Sequence, residues 1–208
     1  MRDNTQAYEP YRIAIVTLDS HAAGPCERVL SLLQRDFPGL ELQVCAAAEW
    51  GEDPQALEAA KQAVQEANIV IANLLFLEEH IEAILPSLQE RRDSCDAMVG
   101  IIADAQIVKL TRMGSLDMAA PSSDAFKLLR RLRGSSKPSS ETGQRKMKIL
   151  RRLPQILKFI PGKAQDLRAW FLTMQYWLGS SDDNMEAMVR FLISRYANRS
   201  GWQNIKAP

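Results

Sequence analysis

The sequence predicts an α/β fold in which a parallel sheet with flanking helices is followed by a helical C-terminal part. Up to about residue 113, short apolar runs typical of buried strands alternate with segments of helical periodicity. Parallel strands need crossover connections, and the intervening helices supply them. Beyond Gly114 the strand pattern ceases and only helical patterns follow.

Four segments predict strands, and the first of them is rich in β-branched residues and almost continuously apolar, as a strand covered on both faces is. They are residues 11–18, 40–47, 68–75 and 96–103. The expected strand order is 2-1-3-4, the order of flavodoxin-like sheets, with helices on both faces.

The segments between these runs predict four helices, at residues 22–37, 54–67, 78–92 and 104–113. Pro38 and Gly39 end the first helix. Asp53 is expected to cap the second helix ahead of Pro54, because a short polar side chain accepts hydrogen bonds from the free N–H groups of a first turn. Pro86 is expected to bend the third helix, since proline removes a backbone donor.

The second half of the chain has three kinds of segment before its end. Residues 123–133 predict a helix, residues 134–144 are rich in Ser, Gly and Pro and predict a flexible linker, and residues 145–160 form a basic amphipathic segment that Pro154 interrupts. Two further helices are predicted. Residues 164–178 are apolar on nearly every side and are expected to be buried almost all round, whereas residues 182–196 carry one apolar face.

These patterns predict three regions. They are a parallel α/β domain at residues 1–113, a helix and flexible linker at residues 114–144, and a helical segment at residues 145–208 that packs on the α/β domain or extends it.

The net charge of +1 hides a division along the chain. Residues 1–105 hold 18 Asp and Glu against 7 Lys and Arg, whereas residues 106–208 hold 7 against 19. Such asymmetry is typical of a segment that faces nucleic acid or a membrane. It is equally expected of two halves that dock on each other.

Composition and length limit the class of protein. No apolar run approaches the roughly 20 residues that span a bilayer, and residues 13–18 are too short for the apolar region of a signal peptide. A cytoplasmic protein is therefore expected. Cys26, Cys45 and Cys95 are odd in number and widely spaced, which fits neither a disulfide framework nor a metal clip. We expect all three to be reduced and buried.

The common signatures of nucleotide binding and covalent catalysis are absent from the sequence. There is no GxGxxG, no GxSxG, and no upstream P-loop glycine before Gly162 and Lys163. His21 and His80 are the only histidines, which leaves few parts for zinc or histidine-based catalysis. No catalytic residue and no metal centre is predicted.

One group of polar residues is a candidate site because of its position in the predicted sheet. In doubly wound sheets, ligands bind beyond the carboxyl ends of the strands at the switch point, here between the first and third strands. Two short polar strings follow these strands: Asp19, Ser20 and His21, and Glu78, Glu79 and His80. If they converge, they form a candidate site for a metal or a polar ligand. The alternative is that Asp19 or Ser20 caps a helix, that the two glutamates favour a helix N-terminus, and that the histidines only form hydrogen bonds.

A basic cluster surrounds the predicted linker. Its candidate partner-binding residues are Arg130, Arg131, Arg133, Arg151 and Arg152. No aromatic residues are interleaved with them, so the cluster does not resemble a stacking platform for single-stranded nucleic acid. A surface for an acidic protein partner, or peripheral contact with an anionic membrane, is better supported. A solvated face is the remaining alternative.

Long ordered strings of this sequence resemble a known family. They are TLDSH at 17–21, LFLEEHI at 75–81, ILPSLQERRDSCDAMVG at 84–100, IVKLTRMG at 107–114, MKILRRLPQILKFIPGKAQDLRAWFLTMQYWLG at 147–179 and SRYANRSG at 194–201. They are similar to the N-terminal region of the large H subunit of magnesium chelatase, a family that includes the cobaltochelatase large subunit. The resemblance runs from about Ile13 to the C-terminus, and the RRLP and FIPG strings favour the magnesium enzyme.

The resemblance implies a place in chlorophyll or bacteriochlorophyll biosynthesis, with a plastid stromal location if the source is a plant or alga. In that family protoporphyrin IX is held by the H subunit, and two ATPase motor subunits drive insertion of Mg²⁺. Mg²⁺, ATP and protoporphyrin IX are thus implied for the whole enzyme and none for this region alone. The implied partners are the remainder of the H subunit, the two motor subunits and porphyrin. The resemblance carries no catalytic residue onto this chain.

Two other functions fit the residues taken without the resemblance. One is an independent flavodoxin-like module that binds a small anion or nucleotide. The other is an interaction module whose basic helical half docks on an acidic protein or a membrane.

Overall fold

A computed structural model describes residues 9–120 and 163–202 of the chain. The predicted helix at 123–133, the predicted linker at 134–144 and the basic segment at 145–160 lie outside the described residues.

The sheet has six strands in the order β2-β1-β3-β4-β5-β6. The strands are β1 (Tyr11–Thr17), β2 (Leu40–Ala46), β3 (Ile69–Asn73), β4 (Ala97–Ile101), β5 (Arg112–Met113) and β6 (Leu116–Asp117). The first four pair in parallel, whereas β5 and β6 pair antiparallel. The predicted parallel core and its 2-1-3-4 order are confirmed, and β1 lies between β2 and β3.

The end of the sheet corrects the sequence prediction. Strand structure was expected to cease at Gly114 and residues 104–113 were expected to be helical, but β5 and β6 form a hairpin on the edge of β4. The helix ends early because the Thr111 hydroxyl bonds to both backbone groups of Gly100, which brings the chain to the sheet edge. Gly114 then adopts a φ of 56°, a conformation that glycine tolerates, and closes the turn.

Six helices flank the sheet in the described residues. They are α1 (Ala23–Asp36), α2 (Pro54–Glu66), α3 (Glu78–Arg91), α4 (Ala105–Lys109), α5 (Lys163–Gly179) and α6 (Asp182–Tyr196). The Asp53 carboxylate accepts a hydrogen bond of 2.8 Å from the Gln55 N–H, so the predicted cap is confirmed. Pro86 lies inside α3, and the bend expected there stays a prediction.

Alternation of side chains along the strands produces two apolar layers. Odd-numbered residues of β1 and β3, such as Ile15 and Ile71, pack with α1, α5 and α6 on one face. Even-numbered residues, such as Val16 and Val70, pack with α2, α3 and α4 on the other face. The central strands are buried on both sides, which explains why their sequences are apolar throughout.

The C-terminal helices belong to the first of these layers. Trp170 of α5 donates a hydrogen bond of 2.8 Å to the backbone oxygen of Gly100, and α6 packs against α1. No side chain from residue 165 to residue 177 is exposed, so burial of α5 on nearly all sides is confirmed there, but Leu178 is 64% exposed. The predicted single apolar face of α6 is also confirmed.

The structure also bears on the cysteines and on membrane-spanning helices. The three cysteines are free and buried, as predicted. Among the helices that the structure describes, none is both long and apolar enough to cross a membrane.

Candidate functional site

The carboxyl ends of the parallel strands form the candidate site. Strands β1 and β3 are neighbours, and Thr17 lies opposite Asn73 at their last paired position. The two polar strings predicted from the sequence begin just beyond this edge, one before α1 and the other at the start of α3.

The first string acts locally as a cap. The Asp19 carboxylate accepts a hydrogen bond of 2.9 Å from the His21 N–H at the start of a short 3-10 turn, Ser20–Ala22. Ser20 and His21 are exposed, and this turn leads into α1 on the first face of the sheet. Asp19 therefore caps this turn, as the alternative interpretation of the sequence predicted.

The second string lies with helices of the opposite face. His80 packs edge-to-face against Trp50, with ring centroids 5.8 Å apart, and its Nε2 atom lies 3.8 Å from Glu79. The Nδ1 atom of His80 and the Nε1 atom of Trp50 are buried without a hydrogen-bond partner among the described residues. Glu78 and Glu79 are exposed in the first turn of α3, where negative charge is favourable.

The structure thus assigns His21 and His80 to elements on opposite faces of the sheet. No hydrogen bond or ion pair between the two histidines occurs in the described part of the chain. Their convergence on one ligand stays a prediction. Within residues 9–120 and 163–202, no three His, Cys, Asp or Glu side chains are grouped so that they could hold a metal ion.

Sequence reasoning missed a buried polar pair at the switch point. The Thr17 hydroxyl donates a hydrogen bond of 2.8 Å to the Asn73 side-chain oxygen and accepts one of 3.1 Å from the Asp19 N–H. Both side chains are fully buried, and the Asn73 amide nitrogen has no partner among the described residues. The sequence does contain a signal for this pair, because Thr17 and Asn73 are polar residues at the ends of two apolar strands.

Two strained residues follow β3 and β4. Leu74 and Ile102 have φ values of 53° and 47°, in the left-handed region that bulky side chains rarely occupy. The Leu74 N–H donates to the Ile102 oxygen, and the Asp104 N–H donates to the Leu75 oxygen, each at 2.9 Å. Such strain persists only where surrounding contacts hold it, and it is concentrated at functional sites.

The two strained loops flank a cleft between α3 and α4, which we call the acidic cleft. It has a volume of about 310 Å³, and its lining includes Phe76, Glu78, Ile81, Glu82, Leu85 and Asp104. Apolar side chains of α3 form part of its wall, and carboxylates lie among them. The cleft therefore combines an apolar interior with negative charge.

A smaller cleft of about 220 Å³ lies at the other edge of the sheet, near the start of β1. Its cation, Arg12, lies 2.8 Å from Glu41 and 3.6 Å from Glu66. Its charge is thus already balanced by two carboxylates.

The predicted partner-binding residues of the basic cluster, Arg130, Arg131, Arg133, Arg151 and Arg152, lie outside the described residues.

The strand order and the carboxyl edge of the sheet together define the class of protein. It is a doubly wound α/β domain of flavodoxin-like strand order, with polar side chains and strained backbone at the carboxyl edge. The chain belongs to the family described as a domain of unknown function, DUF3479, whose profile matches residues 12–171.

Proteins similar to this chain include three magnesium-chelatase subunits. The chain is 61% identical over 197 residues to the magnesium-chelatase H subunit of Cereibacter sphaeroides, which covers 95% of this chain and 16% of that protein. Identity to the magnesium-chelatase H subunit of Rhodobacter capsulatus is 58%, covering 95% of this chain and 17% of the relative. The chloroplastic magnesium-chelatase subunit ChlH of Oryza sativa subsp. indica is 31% identical over 135 residues, covering 63% of this chain and 9% of the relative.

The resemblance to magnesium chelatase H subunits, predicted from the sequence strings, is therefore confirmed. The chain spans about one sixth of the length of the two bacterial relatives.

Proposed function

We propose that this chain is the N-terminal head region of a magnesium-chelatase H subunit and that it supports ATP-dependent insertion of Mg²⁺ into protoporphyrin IX. The observation that carries the proposal is 61% identity across 95% of the chain to a magnesium-chelatase H subunit. Identity at this level extends over both the sheet and the C-terminal helices, so the relative is expected to share the whole fold.

The head acts as a scaffold in this proposal, and the insertion chemistry belongs to the rest of the subunit. Insertion requires that Mg²⁺ lose tightly held water, that two pyrrole protons be accepted and that a large planar ligand be enclosed. The acidic cleft, at about 310 Å³, is at the lower limit of the roughly 300–1,000 Å³ of small-molecule pockets. It is too small to enclose a tetrapyrrole.

The proposed partners follow from the same assignment. The head contacts the remainder of the H subunit, and through it the porphyrin and the two ATPase motor subunits. Mg²⁺ and protoporphyrin IX are substrates of the complete enzyme, and ATP is consumed by the motor subunits.

A chimera tests the proposal. The stretch of the Cereibacter sphaeroides H subunit that aligns with this chain is replaced by this chain, and Mg²⁺ insertion is followed by magnesium-porphyrin fluorescence with the cognate motor subunits. We expect the chimera to retain most of the activity, because 61% of the aligned residues are identical.

The matched control replaces the same stretch with an unrelated flavodoxin-like domain of similar size. We expect this control to lose most of the activity. Equal activity of the two chimeras, or of a variant that lacks the stretch, would contradict a supporting role. A folded but inactive chimera with this chain would contradict the family-specific role.

A further inference from the structure

The acidic cleft has an apolar part that is open to solvent. Phe76 is 55% exposed and the adjacent Leu77 is 47% exposed. Among large apolar side chains of the described residues, only Leu32 and Leu178 share such exposure, and they are separate from this pair. Within the lining of the cleft, the half-buried Leu85 adds to the apolar surface of Phe76, whereas Ile81 is only 5% exposed and Leu77 lies just outside the lining. Adjacent exposed apolar side chains at a cleft are typical of an interaction surface.

The carboxylates of the cleft are not neutralised by the described residues. Glu78 and Glu82 have no ion pair with any Lys or Arg in the part of the chain that the structure describes. The Asp104 carboxylate accepts one hydrogen bond, from the Gln106 N–H, as the cap of α4. Negative charge therefore surrounds an apolar surface and remains available to a cation.

The backbone beside the cleft is preorganised. The hydrogen bonds from Leu74 to Ile102 and from Asp104 to Leu75 join the β3–α3 loop to the β4–α4 loop. Leu74 and Ile102 are held in left-handed conformations on these loops. A surface that is already ordered loses little conformational entropy when a partner binds.

We propose that the acidic cleft is a docking surface for a cationic amphipathic helix that belongs to a separate protein chain. Apolar side chains of that helix pack against Phe76 and Leu85. Its Lys and Arg side chains pair with Glu78, Glu82 and Asp104. Charge complementarity and an apolar floor are the two requirements of helix-in-groove recognition of a basic partner.

The proposed occupant is a separate chain of complementary charge, because the carboxylates of the cleft require a cationic partner. The basic segment at residues 145–160 lies outside the described residues, and its occupation of the cleft is an outcome that the test distinguishes.

The test measures binding of a defined probe to the complete chain. The probe is an 18-residue peptide of Leu and Lys with Leu at helical spacing, titrated by isothermal calorimetry at physiological salt. The test variant is Phe76→Ser with Glu82→Lys. The matched control is Leu32→Ser with Glu27→Lys, which likewise replaces one exposed apolar side chain by Ser and one exposed Glu by Lys, on α1 at the other face.

We expect the test variant to bind the probe about tenfold or more weakly, because it loses an apolar contact and reverses a charge. The control is expected to bind within about twofold of the wild type. Thermal unfolding of both variants checks that each is folded. Equal weakening of the two variants, or no weakening of either, would overturn the proposal.

Two further measurements exclude other occupants. If replacing the basic residues of 145–160 by Gln strengthens probe binding, the chain's own segment occupies the cleft and a separate partner is refuted. If the wild type is dimeric by sedimentation and the test variant is monomeric, a second copy is the occupant and the proposal is likewise refuted. A monomeric wild type with unchanged probe affinity after the Gln replacements supports it.

Discussion

Asp166 joins the helical C-terminal part to the end of the sheet. Its carboxylate accepts hydrogen bonds of 2.8 and 2.7 Å from the N–H and hydroxyl of Ser115, and one of 2.9 Å from the Tyr196 hydroxyl. Burial tends to raise the pKa of Asp166, but these bonds and the charge of Arg195 outweigh it and hold the pKa below its ordinary value. Burial and the Asp166 charge raise the pKa of Tyr196, as expected for the donor of this pair.

We therefore predict that Asp166→Asn lowers the free energy of unfolding at pH 7 by about 2 kcal/mol, because it leaves buried donors poorly paired. A carboxylate with a depressed pKa in the folded state stabilises above its ordinary pKa. The difference from wild type should thus be complete above about pH 5 and shrink as the pH falls through the folded-state pKa. Denaturant melts between pH 3 and pH 7 measure it.

The control for this prediction is Asp183→Asn, an exposed position in the first turn of α6. Its effect should stay within about 0.5 kcal/mol. A difference for Asp166→Asn that grows on acidification would contradict the assigned role of the carboxylate.

The three buried cysteines give a second prediction at this scale. Burial raises the pKa of Cys26 to about 12 and that of Cys45 to about 11, and it also raises the pKa of Cys95. The thiolate is the reactive species, so the native protein should react with Ellman's reagent at pH 8 far more slowly than the unfolded protein. Unfolding in guanidinium should release three reactive thiols. Rapid labelling of the native chain would show that burial is incomplete.

At the scale of elements, periodicity and caps predicted much of the fold. Alternating apolar runs identified the four parallel strands, and Asp53 before Pro54 marked the start of α2. The β5–β6 hairpin was missed because strands of two residues produce no periodic signal. The left-handed conformations of Leu74 and Ile102 were also missed, since tertiary contacts impose them on residues that do not favour them.

Only part of the candidate site could be predicted from the sequence. Position at the carboxyl edge followed from strand order, and the cap made by Asp19 followed from its residue type. The Thr17–Asn73 pair and the acidic cleft depend on which side chains the folded chain brings together. A polar residue at the end of each strand is a local signal for the pair, but no local pattern indicates which side chains line the cleft.

The packing of α4 on β4 gives the prediction at the scale of elements. A Cβ atom at Gly100 would lie 2.4 Å from the Ile107 backbone oxygen, so the two elements approach as closely as a glycine allows. Gly100→Ala should lower the free energy of unfolding by about 2–3 kcal/mol, because rigid backbone has to move. Chemical denaturation measures the loss.

Gly51→Ala is the matched control, since a Cβ atom there meets nothing within 4 Å. We expect Gly51→Ala to change the free energy of unfolding by no more than about 0.5 kcal/mol. Similar losses for the two variants would show that Gly100 matters for backbone freedom and not for close packing.

For the molecule as a whole, apolar packing joins the acidic first half to the described part of the basic second half. Phe171 and Ile193 share one core cluster with Ile15 on a face of the sheet. Exposed ion pairs such as Arg28 with Asp182 also join the two halves, and pairs of this kind contribute little to stability. The α5 and α6 helices are therefore integral to the sheet domain, and the acidic cleft faces away from them.

We propose that this chain supports Mg²⁺ insertion only together with the rest of an H subunit. The direct measurement mixes the purified chain with the two motor subunits, Mg²⁺, ATP and protoporphyrin IX, with and without an H subunit that lacks this region, and follows magnesium-porphyrin fluorescence. We predict no turnover above a control without the chain when the rest of the subunit is absent, and a gain over the shortened subunit when both are present. Turnover by the chain with the motor subunits alone, or no gain on adding it to the shortened subunit, would contradict this proposal.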